Sequence, residues 1–347
     1  MIIKLINNDE AVIRRICDDI RNRSLEPNVI SGPEETIICV IGVLGDARGG
    51  LCEHFSTLPG VASVIPVSTP YKLTVRRGKS TRTVRIKNHV VGGGVFSIFA
   101  GPCAIESYHQ LYETAGIVVS EGADVLRGGA YKPRTRPYDF QGLGVEGLEY
   151  LKRVSDTFDI PSVTEVMHPD LVETVGDYTD VFQIGARNMQ NFDLLREVGR
   201  RRKPVLLKNA LSSTLEELLS AAEYILAEGN PDVILCFRGT RTYESPTHVR
   251  NDIGLCSLAR LRQLTDLPIV VDPSHGTGYW ELVIPVAVAV ATIADGIIVD
   301  VHPDPTQALV DGRQSLKPAN FAKLVSLVRA VVHTRGLSLS SDPAIRT

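Results

Sequence analysis

Side chains capable of acid–base, anion-binding or metal-binding chemistry follow short apolar runs at intervals along this chain. Runs such as Val95–Ala100 and Pro204–Leu207 are almost entirely apolar, which is typical of parallel strands buried on both faces. Eight such runs lead to four cations, three carboxylates, an imidazole and a thiol, namely Arg127, Arg187, Lys208, Arg238, Glu165, Asp272, Asp300, His275 and Cys103. So many cations favour an anionic substrate, and the thiol, imidazole and carboxylates favour a divalent metal.

Amphipathic helical segments separate the eight apolar runs. This alternation predicts a parallel sheet with right-handed crossovers. We predict an α/β fold in which the units close into a (β/α)8 TIM barrel, whose active site lies at the carboxyl ends of its strands. An open doubly wound sheet is the alternative, but the first βα unit lacks a glycine-rich nucleotide-binding turn. Closure is therefore favoured.

The first 70 residues form a separate pattern. Strand and helix signals follow the order βαββαβ, beginning with Ile2–Ile6 and Glu10–Asn22, which predicts a ferredoxin-like regulatory or oligomerisation domain over residues 1–70. We predict a linker and a hairpin on the barrel floor over residues 71–94. The catalytic barrel is predicted over 95–336 and a polar tail over 337–347.

Composition excludes several classes of protein. The chain has 347 residues, a net charge of −3 and 44% hydrophobic residues, so it is not a strongly basic nucleic-acid binder. No apolar run approaches the roughly 20 residues of a membrane span. The six cysteines form no CxxC pair. We therefore expect a cytoplasmic protein with no nucleic-acid or membrane partner.

Five motifs, in order along the chain, carry a resemblance to a known enzyme family. They are Gly101-Pro102-Cys103-Ala104-Ile105-Glu106-Ser107, the LRGGAYKPRT segment 126–135, the QIGARN segment 183–188, Leu207-Lys208, and Asp272-Pro273-Ser274-His275. Over essentially its whole length the chain resembles the type I 3-deoxy-D-arabino-heptulosonate 7-phosphate (DAHP) synthases that carry an N-terminal ferredoxin-like domain. That family condenses phosphoenolpyruvate with erythrose 4-phosphate and releases phosphate, the first step of the shikimate pathway to aromatic amino acids.

The resemblance implies roles for individual residues. The cations implied to bind phosphoenolpyruvate are Arg127, Lys132, Arg187, Lys208 and Arg238, and the residues implied to bind the sugar phosphate are Arg134 and Thr135. The implied metal ligands are Cys103, His275, Asp300 and Asp311, a donor set that suits Mn²⁺, Fe²⁺, Co²⁺ or Zn²⁺ better than Mg²⁺. The implied catalytic residues are Lys132, which protonates the developing alkoxide, Glu165, which orients or activates water, and His275.

Two departures from the family pattern keep other activities open. Asp300 stands where the related enzymes have glutamate, and Tyr279-Trp280 stands where they often place two arginines. A related metal-dependent condensation of phosphoenolpyruvate with another aldehyde, in a specialised pathway, is therefore the first alternative. A 3-deoxy-octulosonate 8-phosphate synthase is disfavoured, because the Lys-Pro-Arg-Thr sequence at 132–135 is the four-carbon sugar signature. A catalytically weak barrel with a regulatory role is the third alternative, and the intact cation and ligand positions argue against it.

The resemblance also implies partners. We expect a homo-oligomer, either a tetramer or a dimer, and an aromatic amino acid as an effector bound through the N-terminal domain. The sequence does not decide between tyrosine and phenylalanine, nor whether a chorismate mutase binds.

Overall fold

The computed structural model of this protein describes residues 1–31, 36–43, 47–66, 71–76, 78, 80–245 and 247–341. The chain divides into two compact units, Met1–Lys72 and Leu73–Thr347. Residue 70, the predicted end of the first domain, and residues 342–347 of the predicted tail lie outside the described residues.

The first unit is a ferredoxin-like domain, as predicted. Its described elements are β1 (Ile2–Leu5), α1 (Glu10–Asn22), β2 (Glu26–Ser31), β3 (Thr36–Ile41), α2 (Ala47–Ser56) and β4 (Val61–Ile65). The strands form an antiparallel sheet in the order β2-β3-β1-β4. Helix α1 begins at Asp9, whose side chain accepts a hydrogen bond from the Ala11 N–H. Its buried face, Ile16 and Ile20, joins Ile3, Ile38 and Phe55 in one apolar core.

The second unit contains a closed parallel barrel. Its strands within the described residues are β7 (Val95–Gly101), β8 (Val125–Arg127), β9 (Ser162–Glu165), β10 (Val181–Ile184), β11 (Val205–Lys208), β12 (Val233–Phe237), β13 (Ile269–Val271) and β14 (Gly296–Asp300). Each strand pairs in parallel with the next, and β14 pairs back onto β7 with Asp300 opposite Gly101. Closure confirms the predicted TIM barrel and eliminates the open sheet.

Helices cover the outside of the barrel. They are α3 (Tyr108–Ser120), α4 (Val145–Thr157), α5 (Val172–Tyr178), α6 (Phe192–Arg201), α7 (Leu215–Ala227), α8 (Leu255–Leu264), α10 (Trp280–Val290) and α11 (Pro318–Thr334). The short helix α9 (Pro273–Thr277) instead follows β13 directly at the carboxyl end of the barrel. Side-chain caps fix where several begin: Ser107 caps α3, and Thr214 with Glu217 forms a capping box on α7. None of the helices among the described residues has the length and apolar character required to cross a membrane.

An apolar plug fills the barrel interior on the floor side. The antiparallel hairpin β5 (Thr83–Ile86) and β6 (His89–Gly92) precedes β7. Its buried residues Val84, Ile86 and Val91 belong to one core cluster with strand residues that include Phe99 and Val125. Apolar side chains therefore fill the floor end of the interior, and the polar side chains of the strands lie at the opposite end, where the strands finish.

The chain after α11 differs from the predicted polar tail. Ser338–Leu339 forms a short strand, β15, that pairs in parallel with Val95 and Phe96 of β7. Leu339 and Ser340 are fully buried, and the Ser340 hydroxyl accepts a hydrogen bond from the Val90 N–H. This part of the segment is therefore an element of the barrel floor, because the single apolar side chain of Leu339 and the backbone pairing outweigh the polarity of its neighbours.

Candidate active site

A polar cavity of about 370 Å³ opens at the carboxyl ends of the barrel strands. Most of the predicted site residues line it: Arg127, Lys132, Arg134, Thr135, Glu165, Arg187, Lys208, Arg238, His275 and Asp311. The other two, Cys103 and Asp300, contact residues of this lining. The structure therefore brings together in one place the side chains that the sequence distributes over more than 200 positions.

Strand ends position the most buried of these groups. Arg127, Glu165, Lys208 and Asp300 are the last residues of β8, β9, β11 and β14, and Arg238 follows β12 directly. In a closed parallel barrel all carboxyl ends meet at one face. The positions therefore follow from the topology and need no special loop conformation.

Arg127 and Asp300 form an ion pair between β8 and β14. The two side chains are 3% and 1% exposed, so the pair is almost completely desolvated. Burial acts to lower the pKa of Arg127, but Asp300, Cys103 and Asp272 together outweigh it and raise that pKa, with Asp300 contributing most. Gln314 donates a second hydrogen bond to Asp300 through Nε2, at 2.5 Å from Oδ2. Both oxygens of Asp300 therefore have partners.

A second buried group links Lys208, Asp272 and His275. The Lys208 ammonium lies 2.6 Å from Asp272 Oδ2, and His275 Nδ1 lies 3.0 Å from the same oxygen. Burial would raise the pKa of Asp272, but His275 and Lys208 outweigh it and hold that pKa well below its usual range. Because Nδ1 faces this carboxylate, the imidazole keeps its Nε2 lone pair for another partner.

Neighbouring residues bind Arg238 but leave one nitrogen of its guanidinium group without a hydrogen-bond partner among the described residues. Its backbone N–H donates to Asn209 Oδ1 at 2.7 Å, and its side-chain Nη2 donates to the His275 carbonyl at 3.0 Å. The Nη1 atom is buried and has no hydrogen-bond partner among the described residues. Buried donors in native proteins are almost always satisfied, so an orphaned guanidinium N–H beside this cavity indicates an anionic ligand.

Three donor atoms have spacings that fit one metal ion. Cys103 Sγ lies 3.6 Å from His275 Nε2 and 3.3 Å from Asp311 Oδ2. His275 Nε2 lies 3.7 Å from the same Asp311 oxygen. Ligands at bond lengths of about 2.0–2.3 Å from a tetrahedral ion are themselves about 3.3–3.7 Å apart. The thiol, imidazole and carboxylate therefore fit three corners of a tetrahedral metal site.

Asp300 is the fourth predicted ligand. Cys103, His275 and Asp300 each offer a potential ligand atom within 4.8 Å of the others, which makes them a candidate metal-binding cluster. Asp300 Oδ2, however, lies 3.7 Å from His275 Nδ1, on the side of the ring that faces Asp272. Its carboxylate therefore lies within reach of the metal-binding cluster and at the same time contacts Arg127 and Gln314.

The loop after β8 connects the cation cluster to the thiol. Lys132 Nζ donates to the Cys103 carbonyl at 3.0 Å and contacts Cys103 Sγ at 3.2 Å. Further along the loop, the Thr135 hydroxyl lies 3.4 Å from Arg187 Nη2. Thr135 thus joins the predicted sugar-phosphate residues to one of the predicted phosphoenolpyruvate residues.

Several residues of the site were not predicted from the sequence. The cavity lining also contains Gln183, Arg241, Arg250 and Asn251. Arg250 donates to Asp311 Oδ1 at 3.2 Å and so orients a predicted metal ligand. The sequence does contain a signal for Arg241, Arg250 and Asn251. They lie in the long connection between β12 and α8, and such βα loops build the active site of a TIM barrel.

Replacement of Lys208 tests whether the buried pair behaves as one unit. We expect Lys208→Met to lower the free energy of unfolding by about 3 kcal/mol, because Asp272 would keep a buried charge without its cation. Lys152→Met is the matched control, since the Lys152–Asp156 pair is 46% and 52% exposed and is worth less than about 1 kcal/mol. Urea denaturation measures both. Equal losses in the two variants would contradict this account of the buried pair.

Comparison with known proteins agrees with this geometry. Residues 78–334 match the family model described as the DAHP synthetase I family, and residues 1–69 match the DAHP synthase ferredoxin-like domain. The chain is 44% identical over 333 residues to the phospho-2-dehydro-3-deoxyheptonate aldolase of Thermotoga maritima, covering 95% of this chain and 97% of that protein.

More distant relatives and solved structures extend the comparison. The chain is 27% identical to a 2-dehydro-3-deoxyphosphooctonate aldolase of Francisella tularensis, over 72% of this chain and 96% of that one. A crystal structure of the Thermotoga maritima DAHP synthase aligns with a TM-score of 0.82 at 41% identity, covering 97% of this chain and 98% of that chain. The chain belongs to the DAHP synthetase I family.

Proposed function

We propose that this enzyme condenses phosphoenolpyruvate with erythrose 4-phosphate to form DAHP and phosphate. The observation that carries the proposal is the cavity, in which five cations from four βα units lie beside one metal-binding cluster. The family match and the relative named phospho-2-dehydro-3-deoxyheptonate aldolase support the same reaction.

Phosphoenolpyruvate is the substrate assigned to the cation cluster. Its carboxylate and phosphate require several fixed donors, and planar guanidinium groups suit both. We assign it to Arg127, Lys132, Arg187, Lys208 and Arg238. The unsatisfied Arg238 Nη1 supports the assignment, because a phosphate or carboxylate oxygen would provide the missing acceptor.

The aldehyde substrate is assigned to the neighbouring loop. Arg134 and Thr135 line the same cavity and would bind the sugar phosphate. The 3.4 Å contact between the Thr135 hydroxyl and Arg187 Nη2 supports a position for this subsite directly beside the proposed phosphoenolpyruvate subsite. Two anions can occupy adjacent positions because the intervening cations offset their repulsion.

The donor set supports a divalent metal held by Cys103, His275 and Asp311, with Asp300 as the fourth donor. A thiolate and an imidazole favour Mn²⁺, Fe²⁺, Co²⁺ or Zn²⁺ over Mg²⁺. When bound, the ion would act as a Lewis acid toward the aldehyde carbonyl. Lys132 and Arg250, which contact Cys103 and Asp311, would hold those ligands in place.

The reaction requires one proton donor and one water. C3 of phosphoenolpyruvate bonds to the aldehyde carbon, and Lys132 donates a proton to the alkoxide oxygen that forms. Water then adds at C2, and phosphate leaves with cleavage of its C2–O bond. We assign the orientation and deprotonation of that water to Glu165, whose carboxylate lines the cavity. Gly185 makes room for it, since a Cβ there would lie 1.9 Å from Glu165 Oε1.

Lys132 suits the role of proton donor by geometry. Its ammonium has three N–H donors, and the structure accounts for two of them at Cys103. The third is available for a substrate oxygen, and the side chain is 7% exposed, so bulk water does not compete strongly.

A second candidate function is the condensation of phosphoenolpyruvate with a different aldehyde. Tyr279 favours it, because this residue stands four positions after His275, where the related enzymes often have an arginine. Its ring lies 3.9 Å from the Arg313 guanidinium in a cation–π contact. This segment therefore offers less free positive charge for a substrate phosphate than the family pattern provides.

A substrate panel tests the proposed function. The enzyme is supplied with phosphoenolpyruvate, Mn²⁺ and one of several aldoses or phosphorylated aldoses, and phosphate release is measured. We expect erythrose 4-phosphate to give the highest kcat/KM. A different aldehyde with a higher value would establish the second candidate, and no release with any aldehyde would refute a condensing activity.

Replacement of Lys132 tests the assigned proton donor. We expect Lys132→Met to lower kcat by about 10²–10⁴-fold, the usual contribution of a positioned acid, while much of the phosphoenolpyruvate binding remains. Phosphate release gives kcat and calorimetry gives the Kd of phosphoenolpyruvate. Lys323→Met, at an exposed position of α11, is the control. Near-normal turnover in Lys132→Met would remove this residue from the mechanism.

We also propose that the enzyme is a homo-oligomer, a dimer or a tetramer, in which the N-terminal unit pairs copies and responds to an aromatic amino acid. Exposed apolar side chains on its sheet support the pairing: Ile30, Ile41 and Ile65 are each about half exposed, at 50%, 50% and 51%. The match of residues 1–69 to the ferredoxin-like domain of DAHP synthases supports the binding of an aromatic amino acid by this unit.

Light scattering tests the pairing of copies. We expect a dimeric or tetrameric mass, and a monomer with and without tyrosine or phenylalanine would refute the pairing.

A further inference from the structure

We propose that Glu106 is a positioning residue for the metal site, because its carboxylate fastens the loop that carries Asp311 to the loop that carries Cys103. The inference rests on the proposed function, since it takes these two residues as metal ligands. It assigns a role to a side chain outside the cation cluster and outside the four proposed ligands.

Glu106 connects the two loops directly. It lies three residues after Cys103, between β7 and α3, and its Oε1 accepts a hydrogen bond from the Leu309 N–H at 2.9 Å. Its Oε2 lies 3.4 Å from His302 Nε2. His302 follows the end of β14 and Leu309 precedes Asp311 by two residues, so one carboxylate holds the 301–311 loop at both of its ends.

The hydrogen-bond pattern of His302 requires an acceptor at this position. The Asp304 N–H donates to His302 Nδ1 at 3.1 Å, so Nδ1 carries a lone pair. The neutral ring then carries its proton on Nε2 and donates it to Glu106. Two donors therefore face the two carboxylate oxygens. A glutamine amide would present one acceptor and one donor, and its NH₂ group would face either the Nε2–H of His302 or the N–H of Leu309.

The hydrogen bonds of Glu106 are largely shielded from water. The Glu106 and His302 side chains are 11% and 8% exposed, so water does not readily replace the hydrogen bonds between them. Next to Leu309, Val310 packs against Cys103 and Ala104 in a small apolar cluster. The carboxylate and this cluster together hold the two ligand-bearing loops in contact.

Asp311 needs such support because its own backbone is unfavourable. Its φ of +54° lies in the left-handed region, which a residue other than glycine adopts at a cost in free energy. Only the surrounding contacts keep it there, with its Oδ2 3.3 Å from Cys103 Sγ. Without Glu106 the loop can relax toward ordinary φ values, and the Asp311 carboxylate would then move away from the thiol.

Metal affinity measures this effect directly. The full-length protein is freed of metal with a chelator and titrated anaerobically with Co²⁺, whose charge-transfer absorption with a thiolate reports ligation by Cys103. We expect Glu106→Ala to raise the Kd for Co²⁺ by about 10- to 100-fold, the usual effect of losing a group that supports a metal ligand. Glu106→Gln should raise it less, because one acceptor remains. Glu113→Ala, an exposed glutamate on α3, is the matched control and should leave it unchanged.

The outcomes separate this inference from the proposed function. If the wild-type protein shows no thiolate–cobalt absorption, the proposed metal site itself fails. If wild type binds Co²⁺ and Glu106→Ala binds it equally well, the positioning role is refuted. Circular dichroism of the metal-free variants checks folding. If Glu106→Ala does not fold, Glu106→Gln decides, and a wild-type Kd in that variant refutes the inference. A merely structural role would lower the Tm of the metal-free protein without changing the Kd of its folded form.

Discussion

Pairing of buried opposite charges at the carboxyl ends of the strands is the interaction on which the rest of this site depends. Removing a charge from water costs several kcal/mol unless a partner of opposite charge lies close by. The barrel meets this requirement by pairing side chains across strands, Arg127 with Asp300 and Lys208 with Asp272. The same pairs hold the cations in their charged forms inside a largely desolvated cavity.

The charges that remain after this pairing define the chemistry. Lys132, Arg187 and Arg238 face the cavity without a carboxylate of comparable proximity among the described residues, and Arg238 keeps one unsatisfied N–H. Next to Lys132, a thiol, an imidazole and a carboxylate face one another at metal-ligand spacing. An anion with two acidic groups and a divalent cation would complete the two sets of residues, which is why we propose phosphoenolpyruvate and a metal as their ligands.

Sequence reasoning located the strand-end residues because topology alone determines where they lie. The end of each apolar run is visible in the sequence, and closure of the barrel brings those ends to one face, so Arg127, Glu165 and Lys208 could be predicted. The contacts made by loop residues could not be predicted. Arg250, Gln314 and Glu106 lie in connections between elements, and their partners depend on how those connections fold, about which local sequence carries little information. The pairing of residues 338–339 could not be predicted for a related reason, since the burial of Leu339 depends on the distant strand β7.

Asp300 shows where a family pattern and a particular chain differ. Its carboxylate is one methylene shorter than that of glutamate, and it contacts Arg127 and Gln314 while lying beside the metal cluster. The residue therefore connects the proposed anion-binding residues to the proposed metal ligands. Crystals soaked with Mn²⁺ and phosphoenolpyruvate, measured by anomalous diffraction, test the account most directly. It predicts an anomalous peak bounded by Cys103, His275 and Asp311, with the substrate anion on Arg127 and Arg238. A peak elsewhere, or an anion bound away from these arginines, would contradict it.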